Sequence, residues 1–273
     1  MGTERIVVIT GASDGIGAAA ARALHARGDR VVVVGRNPAK TEAVARELDA
    51  EFHVADYADL AQVRSLAAAL DRLPRIDVLA NNAGAAMLHR RITVDGFEAT
   101  LQVNHLAPFL LTSLLLPKLI ASKAVVIQTS SIASRLIGGI DLDDLQSERH
   151  YAVLKAYGRA KLAQNMFTRE LARRYGAQGL LAAAFHPGIV GSNFGADSSR
   201  LIRLAYHSPL KRLITVTPEQ GADQLVWLAT SPPYFDGHSG EYYENRLIVG
   251  TAARDRDLAR RMWERSAELV GAA

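Results

Sequence analysis

Tyr157 and Lys161 are the residues whose types and spacing most directly permit chemistry. They lie four positions apart in the segment Tyr157-Gly-Arg-Ala-Lys161, so on a helix their side chains share one face. An ammonium within about 4–6 Å of a phenol can lower the phenol pKa by roughly 1–3 units from its usual value near 10. The pair therefore predicts a phenol that exchanges a proton near neutral pH, although the same spacing also occurs in ordinary surface pairs.

A glycine-rich turn close to the amino terminus predicts a dinucleotide site. The β-branched run Ile6–Thr10 is typical of a buried strand, and an alanine-rich helix is predicted over Ala18–Arg27. Between them, three glycines would allow a tight turn, close approach of a pyrophosphate and close packing of the helix on the strand. The pyrophosphate would bind the free N–H groups at the start of the helix. The predicted cofactor loop comprises Gly11, Ser13, Asp14, Gly15, Ile16 and Gly17.

The carboxyl ends of the next two strands supply candidates for the adenosine half of the cofactor. A strand over Val31–Gly35 is followed by Arg36 and Asn37, at the place where an NAD site presents an acidic residue to the ribose. A guanidinium suits a 2′-phosphate instead, so the sequence favours NADP. Asp56 follows the predicted strand Glu51–Ala55 and would either accept a hydrogen bond from the adenine amino group or form a turn.

A paired-asparagine turn and an interrupted helix carry further polar candidates. The turn Asn81-Asn-Ala-Gly84 follows a fourth predicted strand and would either tie off strand carbonyls or touch the cofactor. Helical periodicity over Gly96–Ala121 is interrupted by Pro108. Asn104 lies one turn before that proline, where it could donate to freed backbone carbonyls and hold a water.

The remaining elements complete an alternating pattern. The strand Val125–Thr129 runs into Ser131, whose hydroxyl would point into the crevice where doubly wound sheets bind ligands. A helix over Tyr157–Gly176 and a strand over Leu180–Phe185 follow. Strands alternate with helices throughout, which predicts an α/β fold: a doubly wound, Rossmann-like parallel sheet with helices on both faces, in a single domain over residues 1–273.

The composition is that of a globular protein and excludes several chemistries. Of the 273 residues, 49% are hydrophobic and 22% charged, and there is no cysteine, so thiolate metal sites and cysteine nucleophiles are excluded. The net charge of +4 is spread along the chain, which does not favour nucleic-acid binding. We expect no targeting segment and no integral membrane segment, and therefore a cytoplasmic protein. His105 and His186 lack partners at ligand spacing, so no metal site is predicted.

Together and in this order, the motifs resemble those of the short-chain dehydrogenase/reductase family. The resemblance covers nearly the whole chain and is closest to the retinol-dehydrogenase-like branch; bacterial secondary-metabolite ketoreductases are similar too. The family motifs are Thr10-Gly-xxx-Gly-x-Gly17, Asn81-Asn-Ala-Gly84, Asn104, Ser131, Tyr157-xxx-Lys161 and Pro187-Gly188, and the branch is indicated by Val94-Asp-Gly-Phe-Glu98, Val103-Asn-His-Leu106 and Phe167–Arg173.

The resemblance implies NADP(H)-dependent hydride transfer between the nicotinamide and a carbonyl or secondary alcohol. Tyr157 would give its proton to the carbonyl oxygen, and Lys161 would lower the pKa of the phenol and bond the nicotinamide ribose. Ser131 would hold and polarise the carbonyl. Asn104 would position the water through which Lys161 reaches bulk solvent. Further cofactor contacts are expected from Asn82, Ala83, Gly84, Pro187, Gly188, Val190 and Ser192.

Two departures from the family pattern affect these expectations. Asp14 stands where NADP-preferring members often have a basic residue, which weakens the argument from Arg36. Ser131 and Tyr157 are 26 positions apart, about twice the usual family gap. The extra segment, Ile137–Leu154, precedes the helix that many members use to dimerise, so a homo-oligomer is possible but not implied.

A basic, amphipathic segment over 198–216 leaves two interpretations open. It would form a substrate lid, within about 189–216, or lie on a membrane surface. As a lid, its apolar residues would favour a bulky, largely apolar substrate. The alternative function for the whole chain is a non-catalytic NADP-sensing regulatory or binding protein on the same fold.

Overall fold

The chain folds around one eight-stranded sheet in which seven strands run parallel. The computed structural model describes residues 4–188, 216–231 and 238–272. The strands are β1 Ile6–Thr10, β2 Arg30–Gly35, β3 Glu51–Val54, β4 Val78–Asn81, β5 Val125–Thr129, β6 Leu181–His186, β7 Tyr242–Glu244 and β8 Leu247–Ile248. Their order is β3-β2-β1-β4-β5-β6-β7-β8. β8 pairs antiparallel with β7 at the edge. The predicted α/β fold with a doubly wound parallel sheet is confirmed.

Helices cover both faces of this sheet, as the alternating pattern predicted. They are α1 Gly15–His25, α2 Pro38–Glu47, α3 Leu60–Leu70, α4 Ala99–Leu101, α5 Ala107–Ala121, α6 Ala133–Leu136, α7 Val153–Tyr175, α8 Pro218–Thr230 and α9 Arg256–Val270. One apolar cluster packs α3, α5 and α7 on one face, and a second packs α1, α2 and α8 on the other. The central strands are buried on both sides, which explains their unbroken β-branched runs.

The position of the ligand crevice follows from the point where the strand order reverses, between β1 and β4. From β1 the chain winds outward through β2 and β3, and then returns to pair β4 with the other side of β1. Helices that connect neighbouring strands diverge at such a point, so a crevice opens at the carboxyl ends of β1 and β4. The predicted cofactor loop after β1 and the paired-asparagine turn after β4 both lie at this edge.

Several predicted boundaries shift, and two shifts bear on the site. α1 begins at Gly15, three residues before the predicted start, with Asp14 as the capping residue. α7 begins at Val153 instead of Tyr157, so the tyrosine lies in the second turn of the helix. A helix of 23 residues holds Tyr157 more firmly than a fraying first turn would.

The interruption predicted at Pro108 is a π-helical turn that precedes it. Pro108 has no N–H for the carbonyl four residues back, and its ring crowds that carbonyl. The chain widens over Gln102–Leu106, and the Ala107 N–H donates to the Gln102 carbonyl five residues earlier. Such bulges are frequent at functional sites, and this one contains Asn104.

The run Ala99–Ala121 is long and apolar enough to cross a membrane by length and composition alone. In the described structure, 67% of its most apolar stretch is buried inside the protein, and all of its leucines except the exposed Leu114 belong to the apolar cluster that packs α3, α5 and α7. We therefore assign it as a core helix of the fold.

His105, next to Asn104, is buried among aromatic rings. Its Nε2 lies 2.7 Å from the Ser266 hydroxyl, which donates to the Met262 carbonyl, so Nε2 carries the proton. The rings of Phe109 and Phe167 lie 6.0 and 6.4 Å away. Burial lowers the pKa of His105 to about 3. The histidine thus links α9 to the π turn and is neutral near pH 7.

His105 makes the free energy of unfolding depend on pH. Its pKa is about 3 in the folded protein and about 6.5 in an unfolded chain, so the unfolded state binds more protons between those values. Stability is therefore lost as the pH falls below 6.5. Between pH 7 and pH 5 the wild type should lose about 2 kcal/mol more unfolding free energy than His105→Gln. Denaturant titrations of both proteins at the two pH values measure this difference; equal losses would contradict it.

Candidate functional site

The glycine turn after β1 is held by close backbone contacts. Gly11 has a φ of 66°, a conformation that side-chain-bearing residues rarely adopt. A methyl group on Gly11 would lie 2.8 Å from the Ala83 Cα, and one on Gly17 would lie 2.3 Å from the Gly11 carbonyl oxygen. The third glycine therefore permits close packing of the helix on the turn itself, as well as against Asn82.

Asn82 joins the glycine turn to two other strands. Its Nδ2 donates to the Thr10 and Gly11 carbonyls at 3.0 and 3.4 Å, and its Oδ1 accepts from the Thr129 hydroxyl at 3.1 Å. The Thr10 hydroxyl in turn accepts from the amides of Asn82 and Ala83. Of the two roles that the sequence left open for this turn, the structure shows the structural one for Asn82.

The start of α1 can receive a phosphate. Asp14 caps the helix and accepts from the Gly15 amide at 2.8 Å, whereas the Ile16 and Gly17 amides fall in the first turn, which has no intrahelical acceptors. Gly11, Gly15 and Gly17 carry no side chains, so the backbone of this turn is bare at these positions. Free N–H groups and a bare backbone fit the pyrophosphate of a dinucleotide, so the residues present suit a nicotinamide cofactor.

Lys40, in the first turn of the helix that follows β2, is a basic residue near the predicted ribose position that the sequence analysis did not identify. Arg36 is exposed, and Asn37 caps α2 by accepting from the Lys40 amide at 3.0 Å. The Lys40 ammonium reaches across to the Asp14 carboxylate at 2.8 Å. Lys40 follows the cap Asn37 by three residues. A cation at this position of a helix that begins beside the predicted ribose site could therefore have been found from the sequence.

Asp56 forms a turn in this structure. One oxygen of its carboxylate accepts from the Ala58 amide at 2.9 Å, and its own amide donates to Gln62. This is one of the two roles left open by the sequence; contact with adenine remains a prediction. Asp59, three residues later, caps α3 by accepting from the Ala61 amide.

Lys161 is the buried centre of the site. Its Nζ donates to the Thr129 carbonyl at 2.9 Å and to the Gln164 Oε1 at 3.0 Å, and lies 5.5 Å from the centre of the Tyr157 ring. The residue is only 2% exposed. Burial lowers the pKa of Lys161 to about 7, because the charged form loses its hydration. The charge of Lys161 therefore depends on pH near neutrality, which the spacing of Tyr157 and Lys161 in the sequence does not indicate.

Asn104 and Gly84 complete the same cluster. Asn104 Nδ2 donates to the Ala85 and Thr100 carbonyls at 2.6 and 2.7 Å, and its Oδ1 accepts from the Ala85 amide. Thr100 lies one turn earlier, so the expected bond to a backbone carbonyl around the irregular turn is present. A methyl group on Gly84 would lie 2.6 Å from Asn104 Oδ1 and 3.1 Å from Lys161 Nζ. The three residues therefore meet in one place.

Ser131 is fixed to α7 through the short helix α6. Its hydroxyl oxygen accepts from the Ala133 amide at 3.2 Å, which leaves the hydroxyl proton available to a ligand. Gly158, beside Tyr157, lets α6 approach: a methyl group there would lie 2.7 Å from the Ala133 carbonyl oxygen. The Ser134 hydroxyl donates to the Ser131 carbonyl at 2.7 Å. Gly158 is a positioning residue that the sequence reading did not identify.

The extra segment before α7 packs on the loop that follows the paired asparagines. The Tyr151 hydroxyl donates to the Met87 carbonyl at 2.6 Å. Arg90 Nε donates to the Gln146 carbonyl at 3.0 Å, and the Gln146 side chain accepts from the Glu98 amide. These bonds hold the long Ser131–Tyr157 connection against the loop that follows the paired asparagines.

The last predicted cofactor residues are only partly described. Pro187 and Gly188 follow β6 at the same edge of the sheet, and Gly188 has a φ of 86° and packs on Val216. Val190, Ser192 and all of the predicted lid except Val216 lie outside the described residues.

Comparison with known proteins decides the family. A family model described as short chain dehydrogenase matches residues 5–201. The chain belongs to the short-chain dehydrogenases. It is 41% identical to "Putative daunorubicin C-13 ketoreductase DnrU" of Streptomyces sp. (strain C5), over 98% of this chain and 93% of that protein. It is 39% identical to retinol dehydrogenase 12 of Mus musculus, over 98% and 86%.

A solved structure agrees with this assignment. The crystal structure of an uncharacterized protein from Mycobacterium paratuberculosis has a TM-score of 0.78 and 35% identity, covering 98% of this chain and 93% of that one. The predicted resemblance to the retinol-dehydrogenase-like and ketoreductase branch is confirmed. This short-chain dehydrogenase is accordingly an oxidoreductase of the family that transfers hydride with a nicotinamide cofactor.

The space left by Gly84 can be tested directly. Gly84→Ala places a methyl group against Asn104 Oδ1 and Lys161 Nζ, so we expect turnover to fall at least about tenfold, because small displacements at a reacting site are costly. Gly176→Ala is the matched control, since nothing lies within 4 Å of a methyl group there. Initial rates and thermal unfolding of both variants provide the comparison. A rate for Gly84→Ala equal to that of the control would contradict the described cluster.

Proposed function

We propose that this oxidoreductase transfers hydride between NADP(H) and the carbonyl or secondary alcohol of a bulky, largely apolar substrate. The observation that carries the proposal is the buried Lys161 ammonium, 5.5 Å from the Tyr157 ring, at the edge of the sheet where the glycine turn also lies. A surface pair would be solvated. A buried lysine next to a phenol, in a crevice built for a dinucleotide, is an arrangement for proton transfer.

The roles of the chain's own residues follow from their contacts. A bound nicotinamide would supply or accept the hydride. Tyr157 would give its proton to the carbonyl oxygen, and Lys161 would stabilise the phenolate that remains. Ser131 would donate its hydroxyl proton to the same oxygen. Asn104, fixed by three hydrogen bonds, would hold a water beside Lys161.

Exposed apolar side chains next to these hydroxyls support the substrate class. Ile132 follows Ser131 and is 37% exposed, Leu136 on α6 is 78% exposed, and Leu154 is 73% exposed. Leu154 precedes Tyr157 by three positions on α7, so the two share a face. Apolar side chains grouped beside a polar site favour an apolar ligand. Similarity to proteins named for daunorubicin and retinol supports the same class.

Replacing the phenol tests the proposed reaction. Tyr157→Phe should lower turnover about 10²–10⁴-fold, the usual contribution of a general acid, and leave NADPH affinity within about twofold. Tyr175→Phe, at the far end of the same helix, is the matched control and should retain activity. Oxidation of NADPH is followed by absorbance with retinoids, steroids, quinones and aromatic polyketides. Near-normal turnover by Tyr157→Phe would refute the role of the phenol.

The same assay separates the enzyme from the alternative function. A wild type that binds NADPH and reduces none of these carbonyls would favour a non-catalytic sensor. A sensor would need only the glycine turn to bind the cofactor. The buried Lys161 beside Tyr157 has no use in such a sensor, whereas it has a use in catalysis.

Preference for NADP is proposed from two cations at the ribose end of the crevice. Arg36 and Lys40 suit a 2′-phosphate, and Lys40 already binds the Asp14 carboxylate, at 2.8 Å. That ion pair offsets the negative charge that would otherwise oppose a phosphate beside the glycine turn. Asp14 therefore does not exclude NADP, although the sequence alone made it an argument against.

Titration of both cofactors tests this preference. Arg36→Ala and Lys40→Ala should each weaken NADPH binding about 10- to 100-fold, the value of a charge-assisted hydrogen bond, and change NADH binding little. Arg46→Ala is the control, because Arg46 lies on α2 and, among the described residues, pairs with Glu42 on the same helix. An NADPH-to-NADH affinity ratio that neither test substitution changes would overturn the proposed phosphate site.

A further inference from the structure

The buried Lys161 side chain is surrounded by neutral groups. Its two hydrogen-bond acceptors are the Thr129 carbonyl on β5 and the Gln164 Oε1 on α7. The turn after β4 presents only the backbone of Gly84, and the π turn presents the Asn104 amide. In residues 4–188, 216–231 and 238–272, Tyr157 is the one titratable side chain in described contact with the ammonium. No carboxylate of the described residues balances its charge.

Gln164 is itself oriented by a second buried amide. The Gln164 Nε2 donates to the Gln128 Oε1 at 3.3 Å, and both glutamines are essentially inaccessible to solvent. An ammonium can only donate, so it requires the oxygen of the Gln164 amide, and the remaining NH₂ group requires an acceptor. Gln128 supplies that acceptor. The pair of amides therefore fixes which end of Gln164 meets Lys161.

We propose that Gln164 is a positioning residue, whose amide oxygen holds the Lys161 side chain beside Tyr157 without neutralising its charge. This inference rests on the proposed function, because it assigns Gln164 a part in the reaction of that same site. A carboxylate at this position would also bind the ammonium, but it would compete with the phenolate for the positive charge. An apolar side chain would leave an ammonium proton without a partner. A neutral acceptor avoids both effects.

Direct titration of the lysine tests the proposal without any reaction. The chain has only six lysines, so their ¹³Cε resonances can be followed by NMR in the cofactor-free protein, and that of Lys161 is assigned by its loss in Lys161→Arg. The pKa of Lys161 is expected near 7 in the wild type. Gln164→Glu should raise this pKa by about 1–3 units through the added negative charge, and Gln164→Leu should lower it.

A matched control and a second substitution keep the test decisive. Thr168→Val removes a buried hydroxyl that donates only to the Gln164 backbone carbonyl, so it should leave the midpoint of Lys161 unchanged. Gln128→Leu removes the partner that orients Gln164 and should shift the midpoint in the same direction as Gln164→Leu. If Gln164→Leu fails to fold, the Lys161 midpoints of Gln164→Glu and Gln128→Leu test the proposal instead. An unchanged midpoint in folded Gln164→Glu would overturn the proposal.

The rate profile provides the catalytic half of the test. With any carbonyl that the wild type reduces, Gln164→Glu should lower kcat at least about tenfold, leave KM for the carbonyl within about threefold, and move the pH dependence of kcat in the direction of the NMR midpoint. An NMR shift with an unmoved rate profile would overturn the role in the reaction. If the wild type reduces no carbonyl, the proposed function fails, and the NMR titration still decides whether Gln164 holds the lysine.

Discussion

The structure depends on holding one lysine out of water at the carboxyl edge of a parallel sheet. Lys161 is held there by two acceptors, the Thr129 carbonyl at the end of β5 and the Gln164 amide oxygen one turn away on α7. Burying an ammonium is costly unless its protons are bonded. The two bonds therefore constrain both elements, because α7 must cross the end of β5 closely enough for Lys161 to reach the Thr129 carbonyl.

The cofactor half of the crevice is coupled to the same strand end. Asn82 bonds the glycine turn through two carbonyls and bonds the Thr129 hydroxyl through its amide oxygen, while the Thr129 carbonyl binds Lys161. One threonine thus lies between the glycine turn and Lys161. Gly84 separates Asn104 from Lys161 with no room for a methyl group. The arrangement is built from backbone groups and small residues, which move little and so preorganise the site.

Most of the strands and their alternation with helices could be predicted from the sequence, because buried parallel strands are unbroken β-branched runs and their carboxyl ends carry glycine or polar turns. The strand Val125–Thr129 follows local rules and lies where the sequence predicted it. Features that depend on contacts beyond the immediate sequence could not be predicted by these local rules. The π turn results from Pro108 acting on the preceding turn, and β8 is a two-residue strand that exists only by pairing with β7.

The residues missed at the site share a cause. Lys40, Gly158 and Gln164 have no distinctive sequence pattern, and each acquires its role from a partner distant along the chain or on another turn: Asp14, Ala133 and Lys161. The pKa of Lys161 could not be predicted from the sequence for a related reason. The sequence shows that a lysine lies next to a tyrosine on a helix, whereas its pKa depends on how completely the sheet and helix exclude water.

The most direct test of this account is the fate of hydrogen from the cofactor. With NADPH dideuterated at C4 of the nicotinamide and a ketone that the wild type reduces, the product alcohol should carry deuterium on its carbinol carbon, detected by mass spectrometry and NMR. A product whose carbinol hydrogen came from solvent would contradict the account, because the site would then be moving protons without transferring hydride.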